Sequence, residues 1–206
     1  MPAESNALAV TKAAEGQFQR GFKTWCENMA VNIRKREGLE PTSPLRAREL
    51  AKSMGVSILE LESVPGLEDG TIKYLSSVQG DEWSAVTVHC DDRQFIVVNP
   101  RHSEARQSSN IMHELAHLIR KHKPTQVHVY DAFALRDFDP LQENEANWLA
   151  GCLLLPREAL LHTGKQNIDA DQIIEIYNVS RSLYNYRLNV SGVRRQLLAS
   201  SRNYYR

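Results

Sequence analysis

One five-residue run constrains this chain more than anything else in it: His113-Glu114-Leu115-Ala116-His117. Residues i and i+4 share one face of an α-helix, so two imidazoles at this spacing converge on one point. Neutral imidazole nitrogen is a good ligand for zinc, which takes about four N, O or S donors. The glutamate at the second position is rotated off the line joining the histidines. Its carboxylate stands beside the ion, where it can take a proton from a water that the ion has acidified. Leu115, Leu118 and Ile119 give the segment an apolar face, and Arg106, Asn110, His113 and His117 a polar stripe on the other side. The pattern predicts a helix from about Ser103 to Lys121 that packs on one side and presents a metal site on the other.

Such a site needs a third protein ligand. No further histidine follows in the short HxxGxxH spacing. The next helical pattern supplies Gln142-Glu143-Asn144-Glu145-Ala146-Asn147. Glu143 and Glu145 are turned roughly 160–200° apart on a helix, so only one of them can face the ion. Asn147, one turn after Glu143, can brace a ligand histidine and fix its tautomer, whereas Leu149 after Glu145 cannot. That favours Glu143, with Glu145 as the alternative. The expected set is one zinc per chain on His113, His117 and Glu143, with Glu114 as the catalytic base and Asn147 and Arg106 behind the ligands. His128 and Tyr130, in the segment between the ligand helices, are candidate donors to an oxyanion. Cys90, at a hairpin turn before the metal helix, is a candidate inhibitory fourth ligand, because thiolate binds zinc strongly and would displace the water.

Around this motif the elements are legible. Residues 1–16 are small, polar and aperiodic, and are expected to be disordered. Phe18, Phe22, Trp25, Met29 and Ile33 mark an amphipathic helix over Gln17–Glu37. A short helix over Leu45–Met54 leads to a strand over Val56–Leu61, then loop signals with a helical turn near Ile72–Leu75. Ser84–His89 and Gln94–Asn99 read as a hairpin. Residues 123–140 read as an irregular loop. A second long helix over Leu141–Leu155 stops at Pro156. Helices near Ala170–Tyr177 and Ser180–Asn189 and a basic C-terminal helix complete the chain. The class is α+β: a mainly helical, zincin-like body with a small antiparallel or mixed sheet beside the HExxH helix. The divisions are a 1–16 tail, a metallopeptidase domain over 17–178, and a basic, helix-turn-helix-like segment over 179–206 packed on it.

Composition narrows the setting. Hydrophobic residues make up 42% and charged residues 24% of 206, a globular balance. No apolar run approaches the roughly 20 residues that cross a bilayer, and the start is a poor secretory signal. Three scattered cysteines, Cys26, Cys90 and Cys152, exclude a disulfide scaffold and suit a cytoplasmic protein. The chain has 25 basic and 25 acidic residues, yet Ser180–Arg206 holds six arginines and no acid. Arg181, Arg187, Arg194 and Arg195 are therefore candidate nucleic-acid contacts, with tyrosines to stack on bases. The alternative function is a DNA-binding regulator that uses this segment, with the metal site structural or vestigial.

HELAH, followed by ENEANWLAGCLLLP and YNVSRSLYNYRL, resembles the ImmA/IrrE family of zinc metallopeptidases. The family pattern E-x-x-A-N-x-x-A-x-x-L-L-x-P finds Glu143, Ala146, Asn147, Ala150, Leu153, Leu154 and Pro156 in place, with Val179, Ser180, Arg187 and Leu188 downstream. The resemblance covers roughly residues 20–195. It implies a cytoplasmic protease that cuts a partner protein, often a helix-turn-helix repressor, in a stress or phage response. A CapP-like branch serves anti-phage defence, with single-stranded DNA a candidate activator of this chain.

Overall fold

The computed structural model describes residues 18–203 apart from 65, 78–82, 91–92, 124–126, 131–132 and 137–138. At 89–90, 93, 127–130, 133–136 and 200–203 the description is of backbone alone. The chain runs α1 (Phe22–Arg36), α2 (Ala47–Ser53), β1 (Ser57–Leu59), a 3-10 turn (Leu61–Ser63), α3 (Asp69–Leu75), β2 (Ala85–Cys90) and β3 (Arg93–Val98). It continues through α4 (Glu104–Arg120), β4 (Val127–Tyr130), β5 (Phe133–Arg136), α5 (Pro140–Leu154), α6 (Arg157–Lys165), α7 (Ala170–Tyr177), α8 (Arg181–Val190) and α9 (Val193–Asn203). The expected α+β class holds: the body is mostly helical, with a small mixed sheet. Among the described residues no helix is long and apolar enough to cross a membrane.

The sheet has the order β1-β3-β2, with β1 parallel and β2 antiparallel to β3. Ile96, Val97 and Val98 are all buried, as a central strand covered on both faces requires. β2 lies at the edge. Val86 and Val88 on it are exposed, and Thr87 between them turns to the opposite face. Helix α4 packs against β2 and β3 on one side and against α5 on another. Ser103 caps α4 by accepting the Arg106 amide, and Asp139 caps α5 by accepting the Leu141 and Gln142 amides.

Helix α5 is the core of the body. From Ala146 to Leu154 every residue except Asn147 is buried, the signature of a helix enclosed by others. Cys26 and Cys152 are fully buried between α1 and α5. Burial pushes the Cys26 thiol far up, so it is inert. At Gly151 a Cβ would come within 3.1 Å of the Arg187 side chain, so this glycine is where α8 closes onto α5. Fully buried Arg34 donates to the carbonyls of Ala30, Ser43 and Leu153, and burial lowers its pKa to about 10.

Several boundaries move for identifiable reasons. Helix α1 begins at Phe22 rather than Gln17 because Gly21, at φ 89°, breaks the backbone there. The hairpin strands reach Cys90 and Arg93, which pair, so the connection is two residues and not four. Residues 123–140 are not simply a loop: β4 and β5 form a two-stranded ribbon, each too short to show a period in sequence. Pro156 stops α5, but it also opens α6, which the sequence reading missed. Proline's fixed φ suits a helix start as well as an end.

Candidate metal centre

Helix α4 and helix α5 meet at the histidines. His113 and His117, one turn apart on α4, turn their Nε2 atoms toward Glu143 in the first turn of α5. The Nε2 atoms are 3.0 Å apart, and they lie 3.2 and 3.6 Å from the Glu143 carboxylate oxygens. All three side chains are partly buried, and they are the one cluster among the described residues with metal-ligand spacing. An ion holding N and O donors at about 2.0–2.1 Å in a tetrahedron separates them by roughly 3.3–3.4 Å. The observed triangle brackets that value, so the donor set fits a zinc-sized ion.

The three side chains are also coupled electrostatically. Burial disfavours a charged His113, but its hydrogen bond to Glu143 and the charges of Glu114 and Glu143 outweigh burial and raise its pKa. Burial would raise the Glu143 pKa, but hydrogen bonds from both histidines hold it well below the usual carboxylate range. Glu143 is therefore an anion facing both rings, and an ion binding there must displace the proton that this carboxylate favours on His113.

Each histidine is also held from behind. His113 Nδ1 lies 2.8 Å from Asn147 Oδ1, as the Glu143–Asn147 spacing suggests. His117 Nδ1 lies 3.0 Å from Nδ1 of His122, a residue the sequence reading did not single out. Glu145, the alternative third ligand, faces away from the Nε2 atoms. It accepts from Arg120 through Nε and Nη2, at 2.9 and 2.5 Å, and lies 3.1 Å from His122 Nε2. Arg120 in turn lies over the rings of Trp25 and Phe22. A histidine five residues after His117 was the available signal for this network. The contact depends on the chain reversing after α4, which the sequence pattern does not reveal.

Glu114 is 8% exposed, beside the histidines. Thr87 Oγ1, on the edge strand, donates to its Oε2 at 2.5 Å. Oε1 receives no hydrogen bond among the described residues. Thr87 was also missed, since nothing in a strand sequence says which helix residue it will meet.

Other expected residues lie elsewhere or outside the description. Arg106 sits in the first turn of α4, two turns before His113, and makes no ion pair among the described residues. Among the described residues no hydrogen bond or ion pair joins its side chain to the ligand residues. Cys90 pairs with Arg93 at the end of β2, and His128 and Tyr130 pair with Leu135 and Phe133 in the ribbon. The side chains of these three lie outside the described residues. In the C-terminal segment Arg181, Arg194 and Arg195 are exposed, Arg181 pairing with Asp171. Arg187 is a correction: it is fully buried, donating to Leu155 O and to Glu27 Oε1. A guanidinium committed to the core cannot meet a phosphate.

Helix α4 is closed by Lys121, which is exposed and adopts a left-handed conformation at φ 54° and ψ 40°. The Lys121 amide bonds Leu118 O and the His122 amide bonds His117 O, a closure glycine usually makes. Lys121→Gly should stabilise the fold by about 0.5–1 kcal/mol, because the left-handed cost of a Cβ outweighs glycine's extra chain entropy. A urea titration of the two proteins checks this; a Lys121→Gly variant less stable than wild type would contradict it.

A helix bearing HExxH, crossed by a glutamate-bearing helix and flanked by a sheet edge, defines a metallopeptidase type of site. The Peptidase_M78 family, described as the IrrE N-terminal-like domain, matches residues 51–189, and the chain belongs to it. The match spans the mixed sheet, both ligand helices and the Glu145–His122 network. No curated protein and no solved structure matches the chain.

Proposed function

We propose that this chain is a zinc-dependent endopeptidase of the ImmA/IrrE type. The observation that carries the reading is the convergence of His113, His117 and Glu143 on one point with Glu114 beside it. His113, His117 and Glu143 hold the ion, which when bound polarises a carbonyl and acidifies water. Glu114 takes the water's proton at Oε1, the oxygen left free while Thr87 holds Oε2, and later returns it to the leaving amine. The exposed edge of β2 runs past Thr87 and so past Glu114. An extended peptide added to that edge would cross the site with its backbone hydrogen-bonded to the strand.

The substrate is a partner regulatory protein, a helix-turn-helix repressor, cut in the cytoplasm during a stress or phage response. What supports this is the family membership and the sheet edge, which receives an unfolded segment rather than a folded surface. The test is incubation of the purified chain with candidate helix-turn-helix repressors from its own cell, with and without a chelator. Chelator-sensitive cleavage at one site supports the proposal; no cleavage under any activating condition contradicts it.

Two regulatory readings attach to this one. Cys90 keeps the enzyme latent as a fourth ligand in place of the water, so Cys90→Ala should raise basal proteolysis. Unchanged basal activity on a proven substrate would sink that reading. Single-stranded DNA acts through Arg181, Arg194 and Arg195, which are exposed on α8 and α9. A gel shift should then weaken steeply with salt. A DNA-binding regulator with an idle metal site is the weaker alternative, because Arg187 is removed from the basic surface.

A further inference from the structure

Among the described residues outside the proposed ligand set, His122, Glu145 and Arg120 form a connected polar cluster. We infer that His122 is a positioning residue for the metal centre, holding His117 in its ligating tautomer by accepting the His117 Nδ1–H. The inference rests on the zinc-site reading above and follows from where each nitrogen points.

The Nε2 atom of His117 faces His113 and Glu143. A neutral imidazole that ligates through Nε2 carries its proton on Nδ1, so Nδ1 is the donor. The atom 3.0 Å from it is Nδ1 of His122, which must then be unprotonated. The His122 proton lies on Nε2, 3.1 Å from a carboxylate oxygen of Glu145 that accepts it. Arg120 donates twice to that same oxygen, fixing the carboxylate and neutralising it. Every proton in the chain His117, His122, Glu145, Arg120 has one consistent place. His122 stands behind the ligand rather than among the donors, so it is not a ligand itself.

The backbone brings the two residues together. With Lys121 left-handed, the His122 amide returns to the His117 carbonyl and lays residue 122 over residue 117. An apolar pair usually fills these two positions in such a helix end. Here two imidazoles do, and the His122 side chain is only 7% exposed. The two ligand histidines are thus braced differently: His113 by an amide on the helix that carries Glu143, and His117 by an imidazole anchored through Arg120 to α1. The carboxylate charge does not touch the ligand directly, since a neutral ring stands between Glu145 and His117.

The test uses the full chain loaded with zinc. Ring-nitrogen shifts by long-range proton–nitrogen NMR should show His122 protonated at Nε2 and bare at Nδ1, and a hydrogen-bonded Nδ1–H on His117. Asn147→Ala should move the His113 ring signals and leave those of His117, while His122→Phe should do the reverse. Chelator competition should show His122→Phe weakening zinc binding by roughly 10–100-fold. A residue that only packs would lower the melting temperature of the metal-free chain without moving the His117 signals. If His122→Phe does not fold, the wild-type ring signals still decide. His122 protonated at Nδ1, or zinc affinity within about twofold of wild type in a folded His122→Phe, overturns the inference alone. A wild-type chain that takes no zinc overturns the proposed function instead.

Discussion

Glu114→Gln should leave the metal centre filled and lower proteolysis by about 10³-fold, within the range that loss of a general base or acid produces. The two side chains have nearly the same shape, and Thr87 can still donate to the amide oxygen. The change removes one property, the ability to accept a proton beside the ligand histidines. Since His113, His117 and Glu143 are untouched, metal content and melting temperature should match the wild type. The measurement is kcat on the cleaved partner together with elemental analysis. A variant that keeps its metal and more than about a tenth of the wild-type rate would mean another group moves the proton. Loss of metal along with activity would mean that Glu114 holds the ion's surroundings rather than the proton.

The second large effect is on stability and lies toward the C-terminal end of α5, where Arg187 meets Gly151 and Leu155. Arg187 is fully buried on α8, and its partner Glu27 on α1 is 23% exposed. Glu27 also accepts the Arg157 amide at the start of α6, so one carboxylate joins three helices. Burial disfavours the charged guanidinium, but its surroundings, Glu27 among them, reverse this and raise its pKa. Glu27→Ala leaves that charge in the core without its partner and should cost about 3 kcal/mol, toward the lower end for a broken buried pair because Glu27 is partly solvated. Arg187→Met removes the charge and fills similar space, and should cost clearly less. Urea unfolding of the two variants beside wild type reads the difference. Equal losses would show that the site behaves as ordinary packing, and no loss in Glu27→Ala would show that water reaches the guanidinium.

The parts that could be read from sequence share a physical cause: their signal is local. HExxH works because helical periodicity alone puts residues 113 and 117 on one face. The Glu143–Asn147 spacing placed both residues against the histidines by the same rule. Caps, glycines and prolines set most helix limits to within a residue or two. What escaped reading depends on contacts between distant segments. Thr87 meets Glu114 across 27 residues, and Glu145 turns to His122 only because α4 ends in a left-handed residue. Arg187 looked like part of a basic surface because charge composition does not show which arginine has a buried acid waiting for it. The β4–β5 ribbon escaped because four residues per strand carry too little alternation to read.

Metal content reports most directly on the His113, His117 and Glu143 site. Elemental analysis of the purified wild type, His113→Ala and Glu143→Ala should give about one zinc per chain in the first and little in the other two, because a three-ligand site that loses one donor no longer holds the ion tightly. Zinc retained in Glu143→Ala at the wild-type level would show that α5 does not complete the site. No divalent metal in the wild type, even after zinc is supplied, would contradict the account at its centre.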